Sequence, residues 1–156
     1  MFVLKEVQVS DKEKLWNIFQ KYFYEMTTYY DMDMDEQGNY PYKYFNNYFE
    51  EAERIALFIY RDEILIGFAM LNNYSCLGDS IDYAIAEFTI FPKYRKKHFG
   101  METIHEIFEK YHGRWEIKYS NKNKSAEALG LKATKKYKPV VSLHENTESV
   151  LSFIVV

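Results

Sequence analysis

Residues 87–100 read Glu87-Phe88-Thr89-Ile90-Phe91-Pro92-Lys93-Tyr94-Arg95-Lys96-Lys97-His98-Phe99-Gly100. An apolar strand runs to Pro92, a basic turn follows, and a helix opens at Gly100, where Met101, Ile104, Ile107 and Phe108 fall at helical spacing before Gly113 stops it. That order suits an anion. The first amide N–H groups of a helix lack internal acceptors and sit at the positive end of its dipole. Lys93, Arg95, Lys96, Lys97 and His98 crowd positive charge around the same point. A basic turn is also an ordinary solvated surface, and only its place between strand and helix favours the anion site.

Upstream, Phe2 to Val7 reads as a strand, and Ser10-Asp11-Lys12-Glu13 has the form of a capping box. Leu15, Ile18, Phe19, Tyr22 and Phe23 carry a helix from there to about Glu25, with one buried face. The acidic run Asp31 to Asn39 breaks the pattern, and Tyr44 to Glu53 predicts a second short helix. Ile55 to Tyr60 and Ile64 to Leu71 form a hairpin around Arg61-Asp62-Glu63, and Ile81 to Phe91 is the next strand. Downstream, Trp115 to Tyr119 is a strand, Ser125 to Lys136 a helix, and Val140 to Leu143 and Val150 to Val156 are strands. The expected architecture is one α/β domain over 1–156, with the order βααβββαβαββ and helices on both faces of a mixed, mostly antiparallel sheet.

With 156 residues, 47% hydrophobic and 28% charged, the chain can bury a core without disulfide or metal. No stretch approaches the roughly 20 apolar residues of a membrane span. Cys76 is the single cysteine, which fits a reducing, cytoplasmic setting. The net charge of -3 is split, since residues 1–78 hold 7 Lys/Arg against 13 Asp/Glu and the remainder 13 against 10. The basic half is too mildly charged for non-specific nucleic-acid binding. Lys132, Lys135, Lys136 and Lys138 also lack the aromatic-and-basic stripe on a sheet that base stacking needs.

Arg95-Lys96-Lys97-His98-Phe99-Gly100 resembles the Q/R-x-x-G-x-G/A pyrophosphate motif of the GNAT superfamily of N-acetyltransferases, with His98 in place of the first glycine. Ile66-Gly67-Phe68-Ala69, Gly113-Arg114-Trp115-Glu116-Ile117 and Asn123-Lys124-Ser125-Ala126 are similar to other parts of that family, so the resemblance runs from about Ile55 to Lys136. It implies acetyl-CoA held between two splayed strands, Ile81 to Phe91 and Trp115 to Tyr119, with Phe88, Thr89 and Ile90 pairing with the pantetheine arm. Arg95, Lys96, Lys97, His98, Phe99, Gly100 and Met101 would surround the pyrophosphate, and Asn123 would approach the cofactor or serve simply as a helix N-cap. Many members use a tyrosine about two turns after that asparagine to protonate the leaving thiolate. Here the stretch is Leu129-Gly130-Leu131, and neither Tyr119 nor Tyr137 takes the role by position.

Acetyl transfer needs a neutral amine, and Glu87 is the expected base, as the one charge within Tyr83 to Ile90. A position on the solvent face of the strand would give it an ordinary surface role instead. Asp31, Asp33 and Asp35, with the nearby Tyr30 and Tyr42, are the expected acceptor-binding residues, attracting a small cationic amine; a solvated acidic loop is the plainer reading. The same aspartates do not form a calcium loop, because Glu36 and Tyr42 occupy its glycine and bidentate positions. His98, His105 and His112 are spaced too widely for zinc, so no metal is expected. The implied activity is N-acetyl transfer from acetyl-CoA in a ternary complex, with no nucleic-acid or membrane partner and with a homodimer left open. The rival is a non-catalytic CoA-binding or partner-binding module on the same fold.

Overall fold

The computed structural model describes residues 1–156. Phe2–Glu6 (β1) leads into helix Lys12–Met26 (α1), and after a long aromatic loop come strands Ile55–Arg61 (β2), Ile64–Asn72 (β3) and Tyr83–Ile90 (β4). Helix Phe99–Lys110 (α2), strand Gly113–Ser120 (β5), helix Lys124–Thr134 (α3) and strands Val140–His144 (β6) and Glu148–Val155 (β7) complete the chain. The seven strands form one sheet in the order β1-β2-β3-β4-β5-β7-β6. Every pairing is antiparallel except β4 with β5. The expected mixed, mostly antiparallel sheet with helices on both faces is what the chain forms.

The apolar alternation of the strands fills both faces. On one, Leu15, Phe19 and Phe23 of α1 pack with Phe58, Phe68 and Met70. On the other, Ile104, Ile107 and Phe108 of α2 and Ala133 of α3 pack with Leu57, Ala69, Trp115 and Leu151. Gly67 is dictated by the β3–β4 approach, since a Cβ there would lie 2.1 Å from the Thr89 carbonyl oxygen.

Two features of β4 open the sheet. Its parallel pairing with β5 covers only Tyr83 to Ile85 against Trp115 to Ile117, after which the strands part. Opposite β3, Met70 faces Glu87 while Leu71 faces Ile85, so Ala86 is an extra, bulged residue. A bulge bends its strand and re-aims the next side chain, and here it falls where β4 leaves β5.

Two local expectations change. Ser10 lies inside a 3-10 turn at Val9–Asp11, Asp11 takes the N-cap position of α1 without a side-chain bond, and the capping box does not form. The helix expected over Tyr44 to Glu53 shrinks to one 3-10 turn, Asn46–Phe49. Its buried side chains, Phe45 and Tyr48, are three apart, and Asn46-Asn47 favours turns over helix continuation. No helix is long and apolar enough to cross a membrane.

Candidate active site: a cleft where β4 and β5 part

A cleft of about 570 Å³ runs through the gap between the parted strands and has walls on both faces of the sheet. Strand alternation assigns the walls. Met70 and Phe68, which face Glu87 and Thr89 across β3–β4, belong to the α1-side core, so Glu87 points to the α1 side. Trp115, Ile117 and Tyr119 belong to the opposite core, which sends Glu116, Lys118 and Ser120 to the α1 side as well. The α1-side chamber is therefore polar and aromatic. The other chamber is lined by Phe88, Ile104, Asn123, Ala126 and Leu129.

Glu87 is bound on both oxygens. Tyr22 donates its hydroxyl to Oε1 at 3.0 Å and Tyr42 donates to Oε2 at 3.4 Å. Burial pushes the Glu87 carboxyl up to about 7, against the two tyrosine hydrogen bonds and the more distant Lys118 ammonium, which favour the charged form. A carboxyl there exchanges protons near neutrality. Burial, with the Glu87 charge next, drives the Tyr22 and Tyr42 hydroxyls upward, so both stay protonated donors. Further along, Tyr30 donates to Glu148 at 3.1 Å and Lys118 stands 3.7 Å from the same carboxylate. Burial raises the Tyr30 hydroxyl as well. Glu116, buried, accepts from the Ser75 hydroxyl and from the Cys76 amide at 3.2 Å.

The other side offers donors. Phe91 gives its amide to Ile66 of β3, so by alternation Phe88 and Ile90 turn their backbone groups toward the gap. The first helical bond of α2 runs from the Glu102 amide to the His98 carbonyl, and His98 provides no side-chain cap. The amides of Phe99, Gly100 and Met101 are thus left without helical acceptors. Lys96 and His98 take φ of 63° and 62°, so His98 adopts the left-handed conformation normally given to glycine.

The expected residues divide. Glu87, Phe88, Asn123, Tyr30 and Tyr42 come together in the cleft. Asn123 also caps α3, accepting from the Ala126 amide at 3.1 Å, as its N-cap reading expects. Arg95 is turned away, with a bidentate pair to Glu25 at 2.6 and 2.7 Å, Nε on the Ile90 carbonyl at 2.7 Å and a bond to Thr89 Oγ1 at 3.1 Å. Thr89 is engaged by that contact and by β3. Asp31, Asp33 and Asp35 are exposed and do not line the cleft, and Asp35 spends one oxygen on the amides of Gln37 and Asn39. Tyr137 stacks in the core on Phe153, while Tyr119 lines the cleft beside Gly130. Sequence reading missed Tyr22, Glu116, Lys118 and Glu148. Tyr22 sits at core spacing, and its one signal is a hydroxyl where phenylalanine would serve.

The fold, with its parted parallel pair in an otherwise antiparallel sheet, is similar to that of solved GNAT-family acetyltransferases. A GNAT-family acetyltransferase from Streptococcus pneumoniae superimposes with a TM-score of 0.63 at 12% identity, covering 99% of this chain and 100% of that one. A spermidine N-acetyltransferase from Vibrio cholerae, in complex with CoA and spermine, gives 0.68 at 13%, covering 99% and 95%. Arabidopsis thaliana NAA60 in complex with acetyl-CoA gives 0.60 at 13%, covering 99% of each chain. No family model and no curated protein matches the sequence.

Proposed function

We propose that this chain is an N-acetyltransferase that moves an acetyl group from acetyl-CoA to the primary amine of a small cationic acceptor, by direct attack in a ternary complex. The observation that carries the reading is the cleft through the sheet, which joins a chamber lined by Phe88, Ile104, Asn123, Ala126 and Leu129 to one holding Glu87. Neighbours of the same fold held with CoA or acetyl-CoA support a CoA-type cofactor. The residues present fit the cofactor, because Phe88 leaves its backbone groups and Ile90 its amide facing the gap, and Phe99, Gly100 and Met101 leave amides free at the turn. Lys96 and Lys97 would add charge there, and Asn123 a side-chain amide. Arg95 acts as a brace for that turn rather than as a ligand.

Bound acetyl-CoA would supply an activated thioester. Glu87, titrating near neutrality, accepts the proton of the incoming ammonium while Tyr22 and Tyr42 hold its two oxygens. The Phe88 amide, next in the chain, is placed to polarise a carbonyl. The acceptor chamber gathers Glu87, Glu116 and Glu148 against Lys118, with Tyr30, Tyr42, Tyr44 and Tyr74 around them. Such a wall suits an alkylammonium, through charge and cation–π contact. That the Vibrio cholerae neighbour is held with spermine agrees with a cationic amine. The test is a thiol-release screen over amines, with wild type and Glu87→Gln side by side. Turnover on cationic amines that falls about 10²-fold or more in the variant supports the reading. CoA binding with no turnover on any amine would favour a non-catalytic module.

A further inference from the structure

Where β4 and β5 part, the chain places an amine of its own at the opening. Ile85 and Ile117 are the last residues paired between the two strands. Beyond them, Glu87 on β4 and Lys118 on β5 both send their side chains to the α1 side, one from each bank of the gap. Two lysines line the cleft. Lys43 belongs to the aromatic loop and holds its ammonium over the Tyr44 ring, 5.3 Å from the centroid. Lys118 instead brings its ammonium to 3.7 Å from Glu148, on the carboxylate oxygen that also accepts from Tyr30, and its side chain is 42% exposed. Burial raises both Glu87 and the Cys76 thiol, and the Lys118 charge works against that at each, so the ammonium is felt from three sides of the chamber. Lys118 is thus a primary amine on a flexible four-carbon stem, held by a chamber carboxylate across the gap from Glu87.

We propose that Lys118 is itself an acceptor, and that the chain acetylates it from acetyl-CoA when no external amine fills the chamber. This step rests on acetyl transfer as proposed above and adds a modification site to it. Solvent screens the pair with Glu148, so the side chain leaves it at little cost. Lys118 Nζ gives one proton to the Glu87 carboxylate and, as a neutral amine, attacks the thioester carbonyl carbon. The C–N bond forms and the C–S bond breaks. The sulfur leaves as the free thiol of CoA with the second proton of the nitrogen, and Glu87 returns the first to solvent. The product holds a neutral amide where an ammonium stood beside Glu148, so the modification also strips one cation from the chamber wall.

The test is intact-mass and peptide-mass measurement on the full chain held with acetyl-CoA and no amine. The expected result is one acetyl group, on Lys118, with a half-time that does not change with protein concentration. Glu87→Gln should slow its appearance about 10²-fold or more, and Lys118→Arg should carry no such group. Acetyl groups spread over the exposed lysines, or a Lys118 rate that is equal in Glu87→Gln, would be plain chemical acylation and would overturn the proposal. A half-time that shortens as protein is added would do the same, since one copy would then be modifying another. An unmodified Lys118 in a chain that acetylates added amines removes this site and leaves the proposed function standing, whereas a chain that modifies neither loses both.

Discussion

A carboxyl held near neutrality has consequences for stability as well as for chemistry. Glu87 moves from 4.5 to about 7 because burial costs its charged form more than Tyr22 and Tyr42 return. Below the unfolded value the group is protonated in both states and its burial goes unpenalised. As pH rises from there through about 7 the folded protein must carry a buried charge, and stability on the order of 3 kcal/mol is lost. Glu87→Gln escapes that loss, so its melting temperature is expected to gain on the wild type between pH 5 and pH 8; equal pH dependence in thermal unfolding would refute the burial argument. The tyrosines provide a second check. Tyr22→Phe removes a donor that favours the carboxylate, which should move the rising limb of the pH–rate profile to higher pH, and a limb left in place would show that Glu87 does not set it. Glu87 was legible in the sequence as a lone charge in an apolar strand. Tyr22 was not, because a hydroxyl at core spacing is silent until β4 places a carboxylate beside it.

At the level of elements, the turn before α2 shows how an arginine read as a ligand becomes a brace. Arg95 ties the end of α1, through Glu25, to the end of β4, through the Ile90 carbonyl. The guanidinium, more by its hydrogen bonds than by charge alone, holds the Glu25 carboxyl below its usual range. Both side chains are 37% exposed, so solvent screens the pair. Arg95→Ala is expected to cost about 1–2 kcal/mol in denaturant unfolding, and Arg95→Lys to recover little of it, because a single ammonium cannot reproduce the bidentate contact. Full recovery with lysine would reduce the contact to simple charge. His98 carries the converse prediction. A left-handed backbone costs a non-glycine residue roughly 1–2 kcal/mol, so His98→Gly should raise stability, by about 1 kcal/mol after glycine's own entropic cost. A loss of stability in the same titration would mean that the ring makes up for the strain. Strand and helix order followed from periodicity almost throughout. It failed over Tyr44 to Glu53, where a spacing of three between buried aromatics fits a 3-10 turn as well as a helix.

Across the whole molecule, charge is arranged by depth as well as along the chain. The sequence locates its acidic excess in residues 1–78 and suggests the loop of Asp31, Asp33 and Asp35 as the attraction for a cation. Folding puts those three in solvent outside the cleft and brings Glu148, from the far end of the chain, beside Tyr30 within it. Sequence alone could not pair residues 118 positions apart. The two groups should act differently on a cationic acceptor. Exposed aspartates act at long range, and salt screens charges separated by more than about 8 Å at physiological ionic strength. A carboxylate that is 8% exposed acts at contact and is screened much less. Neutralising Asp31, Asp33 and Asp35 together as asparagines should therefore raise KM only a few-fold at low salt, with kcat unchanged and the effect fading as salt is added. Glu148→Gln should raise KM about tenfold, and the rise should persist in salt. Initial rates across a salt series separate the two: a Glu148→Gln variant with unaltered KM, or an aspartate effect that survives high salt, would return recognition of the acceptor to the surface loop.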